Sequence, residues 1–371
     1  MKIKSLLNIL GALLVILGLT MTLPMLISFG SGENNDFKAF LFSSLICIFM
    51  GLPCWFFTRN NKTITNKDGF AIVTFSWILT AIIGALPFYL SGSIPNITDA
   101  FFESMSGVTT TGASILGNTE TMPHLINGIE SLSNGILFWR SFLQWIGGMG
   151  VVVFYIAILP LLGIGGVQLF KAEVPGPVAS KITPRVKETA KFLWIVYVGI
   201  TMLNILALLS AGMNLLDSVC HAFSTIATGG FSTKNLSIAY FESSIIHYII
   251  IIFMFISGIN FSLHFRAIRG DFKIYFKDVE FIAYVLIIIS VTMLIFISIS
   301  NFFNSFSFLN FKESLFAAVS MLTSTGLVLA DYEIWPVFIQ MILLTLMFIG
   351  GMGGSTTGGM KIIRIMPVSY T

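Results

Sequence analysis

Three short triplets carry the residues best suited to chemistry: Thr110-Thr111-Gly112, Thr228-Gly229-Gly230 and Ser324-Thr325-Gly326. Each glycine lies thirteen positions after an acid (Asp99, Asp217, Glu313) and six after a serine (Ser106, Ser224, Ser320). Small hydroxyl side chains ending on glycine leave the backbone as the main polar surface. The chemistry on offer is coordination, in which carbonyl oxygens of extended backbone replace the hydration shell of a cation. Enzyme chemistry finds no support. The ionisable residues fall at loop positions and helix ends rather than as facing pairs within apolar spans. No P-loop, Rossmann fingerprint or nucleophile motif with its partners is visible, so any nucleotide binding belongs to a partner and no organic cofactor is expected. His124, His221, His247 and His264 show no metal-ligand spacing, and Cys47, Cys54 and Cys220 form no CxxC pattern.

Such backbone needs a mount. The stretches DAFFESMSGVTTTGA (99–113), DSVCHAFSTIATGGF (217–231) and ESLFAAVSMLTSTGL (313–327) share one internal spacing and so form a repeated structural unit. Each predicts a short apolar helix whose acid meets the unpaired N–H groups and positive dipole end of the N-terminus. A helix of about 20 Å cannot cross a hydrocarbon core of about 30 Å, so it dips in and returns. The hydroxyl- and glycine-rich tail survives at membrane depth only against protein or water. One copy alone reads as an apolar helix capped by an acid and ended by glycine. Three in register point to a filter.

Hydrophobic residues make up 56% of the chain, charged residues 10%, and the mean hydropathy is +0.91, values of an integral membrane protein. A first span is expected at 5–29. It looks like a signal peptide, but its apolar run exceeds a typical h-region and no small-residue cleavage site is clear. A second span is expected at 37–57. The predicted fold is an all-α polytopic membrane protein: two N-terminal spans within 1–68, then three repeats of span, re-entrant pore helix with filter strand, and span. The repeats occupy 69–187, 188–277 and 278–371, with inner helices at about 137–163, 245–265 and 335 onward.

With the N-terminus cytoplasmic, every Lys and Arg except Lys38, Arg140, Lys234 and Lys312 falls on the inner side, the positive-inside pattern. The pore segments then face outward. Asp99, Glu103, Asp217, Glu313, Asp331 and Glu333 share that outer side, where carboxylates raise the local cation concentration.

Gly147–Gly150 and Ser257-Gly258 interrupt the first two inner helices and read as sites of close helix packing. The third inner helix carries a longer interruption: Gly350, Gly351, Gly353, Gly354, Ser355, Thr356, Thr357, Gly358 and Gly359, followed by Lys361 and Arg364. Two readings stay open, a flexible exit linker and a movable plug under the filter; Gly-rich backbone at membrane depth mainly lines a cavity.

These residues resemble the Trk/Ktr/HKT superfamily of potassium-uptake proteins, most closely the bacterial TrkH type. The strings TTTGAS, ATGGFST, TSTGL, LPLLGIGGVQLFKAEVPGP (159–177), ISGINFSLHF (256–265) and GGMGGSTTGGMK (350–361) carry the likeness. The resemblance implies four channel-like modules around one pore, potassium as the transported ion, and filter glycines at Gly112, Gly230 and Gly326. It implies a gating loop at Gly350–Gly359, a multi-pass protein of the bacterial inner membrane among lipids, and a homodimer with one pore per protomer. The implied partner is a cytosolic nucleotide-binding ring of the TrkA type on basic inner loops such as 172–191. Nucleic acid is not an expected partner.

One departure stands out. The filter glycines are spaced 118 and 96 residues apart, whereas 45 residues follow Gly326, too few for a fourth module. An engineered truncation, a sequence fragment, a frameshifted product and a natural split all remain open. So does a non-conducting fragment or a regulatory or scaffold subunit as the alternative to a conducting one.

Overall fold

The computed structural model of the protein describes residues 3–58, 66–117, 128–150, 186–302 and 304–366, and every regular element among them is helical. Among the described residues five helices are long and apolar enough to cross a membrane, six if one bent pair counts as a span. The string 159–177, the basic stretch 172–185, Arg59, Lys62 and the far end of the first inner helix lie outside the described residues. The chain divides into two compact units, one up to Trp194 and one from Ile195 onward.

In the first unit α1 (Ile3–Thr20) continues into α2 (Thr22–Gly30), and α3 (Asn34–Phe57) returns beside them. A side chain at Gly11 would reach within 2.6 Å of Trp55 N and 2.8 Å of Gly51 O, so small residues let α1 and α3 cross closely. Asn8 and Ser44 add hydrogen bonds across the pair, to Trp55 O at 2.5 Å and Gly18 O at 2.7 Å. Next come α4 (Asn66–Leu90), the short α5 (Ile97–Val108) and α6 (Asn134–Gly148). Trp139 of α6 fixes the core by donating its indole N–H to Gly84 O at 2.9 Å while its ring meets Phe40 edge-on. A Cβ at Gly147 would collide with the Val108 carbonyl, so α6 lies directly on the end of α5.

The second unit holds most of α7 (Val186–Ser210), then α8 (Leu215–Ile226), α9 (Ser244–Ser257), α10 (Phe261–Ile268), α11 (Val279–Phe302), α12 (Phe308–Leu322) and α13 (Val337–Ile349). The span expected at 245–265 is not straight: α9 and α10 meet at 99° across 258–260. Asn260 explains the break, because its side chain accepts the Ser262 N–H at 2.9 Å and starts a new helix there. Tyr284 of α11 stacks on Phe255 and donates to Phe255 O at 3.1 Å, holding α11 against α9.

The three short helices start on polar caps: Asn96, Asn214 and Ser307 accept N–H groups from Thr98, Asp217 and Asn310. Asp99 and Asp217 sit in the first turn, as expected. Glu313 does not. Ser307 caps α12 earlier, leaving Glu313 in the second turn.

Candidate functional site

The candidate triplets follow the end of α5 in the first unit and the ends of α8 and α12 in the second. Each helix ends the same way. The N–H of Thr110, Thr228 and Ser324 bonds three residues back, to Gly107, Thr225 and Met321. The next N–H, of Thr111, Gly229 and Thr325, bonds five back, to the carbonyls of Ser106, Ser224 and Ser320, at 2.9 Å in all three. This is a Schellman ending, which ordinarily wants glycine at its left-handed position. Here that position holds Thr110, Thr228 and Ser324, with φ of 54°, 53° and 53°. A left-handed non-glycine residue costs about 1–2 kcal/mol, and for β-branched threonine the conformation is an outlier. Thr228 and Ser324 hydroxyls donate to the preceding carbonyl at 2.7 and 2.6 Å, which helps to hold it.

Two residues later φ turns positive again, at Gly112 (76°), Gly230 (83°) and Gly326 (77°). The intervening residue does not, so the triplets depart from the regular pleat of a strand. Among the described residues no hydrogen bond is donated to the carbonyl oxygens of Thr110, Thr111, Gly112, Thr228, Gly230, Ser324, Thr325 or Gly326. Carbonyls left unpaired by secondary structure are available to a ligand. In the second unit two triplets touch: a Cβ at Gly230 would collide with Thr325 O.

Behind the triplets each tail is tied to its own helix. Ser106 and Ser320 hydroxyls donate to Ala113 O and Leu327 O at 2.5 and 2.8 Å, one residue past the glycine. Glu103, grouped by sequence with the carboxylates of a mouth, is instead fully buried. Its Oε1 accepts from Nε and Nη2 of Arg140, both at 2.8 Å. Ser114 donates to the same carboxylate at 2.9 and 3.1 Å, and Ile115 N–H does so at 3.2 Å. The second repeat uses His221. Its Nδ1 faces Asp217 O at 2.8 Å, and since a carbonyl only accepts, Nδ1 carries the proton and Nε2 accepts from Ser232 at 3.0 Å. Asp217 accepts from Thr233 and Asn214 at 2.5 and 2.7 Å.

The glycine-rich stretch after α13 forms a folded loop. Gly350, Gly354 and Gly359 have positive φ. Its backbone reaches several elements of the second unit: Met352 N–H to Gly258 O at the α9–α10 break (3.0 Å), and Gly358 N–H to Ser324 Oγ (2.6 Å). Thr356 donates to Ile226 O at 3.0 Å, at the end of α8. Gly353 and Ile363 N–H both bind Oε1 of Glu280 on α11, at 2.7 and 3.2 Å. Inside the loop Thr357 Oγ1 accepts from Gly351 N–H at 3.1 Å and from Lys361 Nζ at 3.0 Å, so its own proton goes to Ser355. Ser355 passes the chain on to Met352 O at 2.6 Å. Lys361 also donates to Thr357 O.

The second and third expected triplets thus lie side by side with the loop hydrogen-bonded to the ends of both their helices, and the first triplet has the same backbone in the first unit. Sequence reasoning missed Glu103, Arg140, His221 and Glu280 as parts of this machinery. A signal existed for two of them: Glu103 and Ser114 stand four after the acid and two after the glycine, and His221 and Ser232 stand at the same two places.

Comparison with known proteins gives the chain's family. The model of the TrkH family, described as a cation transport protein, matches residues 36–369. The Trk system potassium uptake protein TrkH of Vibrio parahaemolyticus is 42% identical, over 99% of this chain and 75% of that protein. TrkH of Escherichia coli K12 is 41% identical over 99% and 74%, and its TrkG 36% over 96% and 72%. The crystal structure of the potassium transporter TrkH from Vibrio parahaemolyticus aligns with a TM-score of 0.82 and 39% identity, covering 98% of this chain and 74% of that one. Matched along nearly its whole length in both sequence and fold, the chain belongs to the TrkH family of cation transport proteins.

Proposed function

We propose that the chain is the potassium-conducting membrane subunit of a Trk-type uptake system. Potassium crosses passively, its hydration shell replaced by backbone carbonyls of Thr110, Thr111, Gly112, Thr228, Gly229, Gly230, Ser324, Thr325 and Gly326. One observation carries this reading: three helices of different sequence end in the same strained backbone, at hydroxyl residues rather than glycine. Strain that recurs at equivalent positions marks a functional demand. The helix C-termini, with their negative dipole ends, add to the attraction for a cation.

Gly350–Gly359 serves as the gate, supported by its hydrogen bonds to Ser324 and to the carbonyl of Ile226. The repeats occupy 69–187, 188–277 and 278–371. The protein sits in the bacterial inner membrane with a cytoplasmic N-terminus, works as a homodimer, and is regulated by a nucleotide-binding ring of the TrkA type on its basic inner loops. The relatives' names and the charge asymmetry of the loops support this arrangement.

The test is rubidium uptake into potassium-loaded proteoliposomes containing the purified chain, for the parent and Gly112→Ser. Uptake by the parent with weakened discrimination against sodium in the variant is expected. No uptake by the parent, or unchanged discrimination in the variant, would overturn the filter assignment.

A further inference from the structure

We propose that Glu103 is a positioning residue for ion discrimination: with Arg140 it forms a buried post that fixes the backbone leaving Gly112 through Ser114 and Ile115. The inference rests on the filter reading above. Both side chains of the pair are almost completely buried, at 0% and 2% exposure, so neither charge serves the solvent. The two Arg140 nitrogens take Oε1, which leaves the carboxylate unable to swing. Ser114 Oγ donates to Glu103 and accepts from Arg140 Nη2 at 3.1 Å, so one hydroxyl reads both members of the pair. Ile115 N–H closes the arrangement on Oε2 at 3.2 Å.

What separates this from an ordinary buried ion pair is its recurrence by different chemistry. In the second repeat His221, four residues after the acid, holds Ser232, two after the glycine, at 3.0 Å. In the third the corresponding residues, Ala317 and Val328, are apolar, yet the same point of the tail is still held. Val328 N–H binds Ser237 Oγ at 3.2 Å, and Val328 O accepts from Ile238 and Ala239 at 3.1 and 3.3 Å. Three solutions to one geometric problem indicate that the tail two residues past each filter glycine must be fixed. A carbonyl cage distinguishes potassium from sodium only while its size or its field is maintained, and a tail free to shift relaxes both.

Removing Glu103 or Arg140 outright leaves a buried partner charge and endangers folding, so the decisive variant is Ser114→Ala. It removes the hydroxyl that binds both members of the pair, keeps the Ile115 N–H on Oε2 and leaves the ion pair standing. The full chain in detergent is titrated with potassium and with sodium, and the concentrations giving half-maximal thermal stabilisation are compared for the parent, Ser114→Ala, Ser114→Thr and Gly112→Ser. The expected result is a potassium preference lowered about tenfold in Ser114→Ala, the lower end of the range for one lost hydrogen bond to a charged group. Ser114→Thr, which keeps the hydroxyl, retains the parent preference. A parent-like preference in Ser114→Ala beside an altered one in Gly112→Ser would overturn the role of Glu103 and leave the filter intact. A parent without preference, or a Gly112→Ser preference equal to the parent's, would sink the filter reading and this inference together.

Discussion

Gly358 donates its backbone N–H to the hydroxyl of Ser324 at 2.6 Å, joining the last part of the glycine-rich loop to the left-handed residue of the third candidate triplet. The same hydroxyl donates to Thr323 O, so its proton is committed and its lone pair is free for the loop. Ser324→Ala removes this acceptor. If the loop is the gate, losing about 0.5–1.5 kcal/mol from its closed form raises rubidium flux roughly twofold to tenfold. Flux equal to the parent's although the Gly358 amide now exchanges fast would separate the loop from gating.

Glu280 is the other fixed point of that loop. Its Oε1 takes both the Gly353 and Ile363 amides, which lie on either side of the bend. In Glu280→Gln the oxygen still accepts, without the charge that strengthens such bonds. Both amides are expected to exchange with deuterium several-fold faster, and faster again in Glu280→Ala, where about 1–3 kcal/mol of support is lost. Exchange unchanged in the alanine variant would show that the loop holds itself.

Two glycines of the proposed filter differ in what they tolerate. At Gly326 φ is 77° and nothing lies within 4 Å of an added Cβ, so Gly326→Ala meets only the left-handed penalty of about 1–2 kcal/mol. At Gly230 φ is 83° and the Cβ would also strike Thr325 O, which is backbone and cannot rotate away. Thermal unfolding of the two alanine variants should rank Gly230→Ala well below Gly326→Ala, and ion discrimination should follow the same order. The reverse order would contradict the side-by-side placement of the second and third triplets.

Arg140→Met strands the Glu103 carboxylate in the core. Breaking one side of a buried pair costs about 3–5 kcal/mol, whereas neutralising both can be nearly neutral. The double variant Arg140→Met with Glu103→Gln should therefore melt closer to the parent than the single variant does. Equal losses in the two would mean that packing volume rather than charge governs this position.

The chain's own residues determined a good deal. An apolar composition with few charges dictates membrane-spanning helices, because hydrocarbon tolerates no other backbone whose polar groups are satisfied within the segment. The acid, serine and glycine spacing marked three equivalent helix ends. The structure explains its inner interval: the serine carbonyl receives the N–H five residues on, and the glycine follows one residue later in its left-handed turn. These are local relations, and local chemistry is written in spacing. Tertiary structure decided the rest. Nothing in the composition of α11 pairs Glu280 with Gly353, 73 residues away, or turns Glu103 from a mouth charge into the partner of Arg140, 37 residues on. At the 99° break between α9 and α10, which the Asn260 cap begins locally, the Gly258 carbonyl meets its donor, Met352 N–H, only in another element. Such contacts join groups that any compact arrangement could have paired otherwise. Packing selected among them, because a buried charge or an unpaired amide penalises every arrangement that leaves it alone.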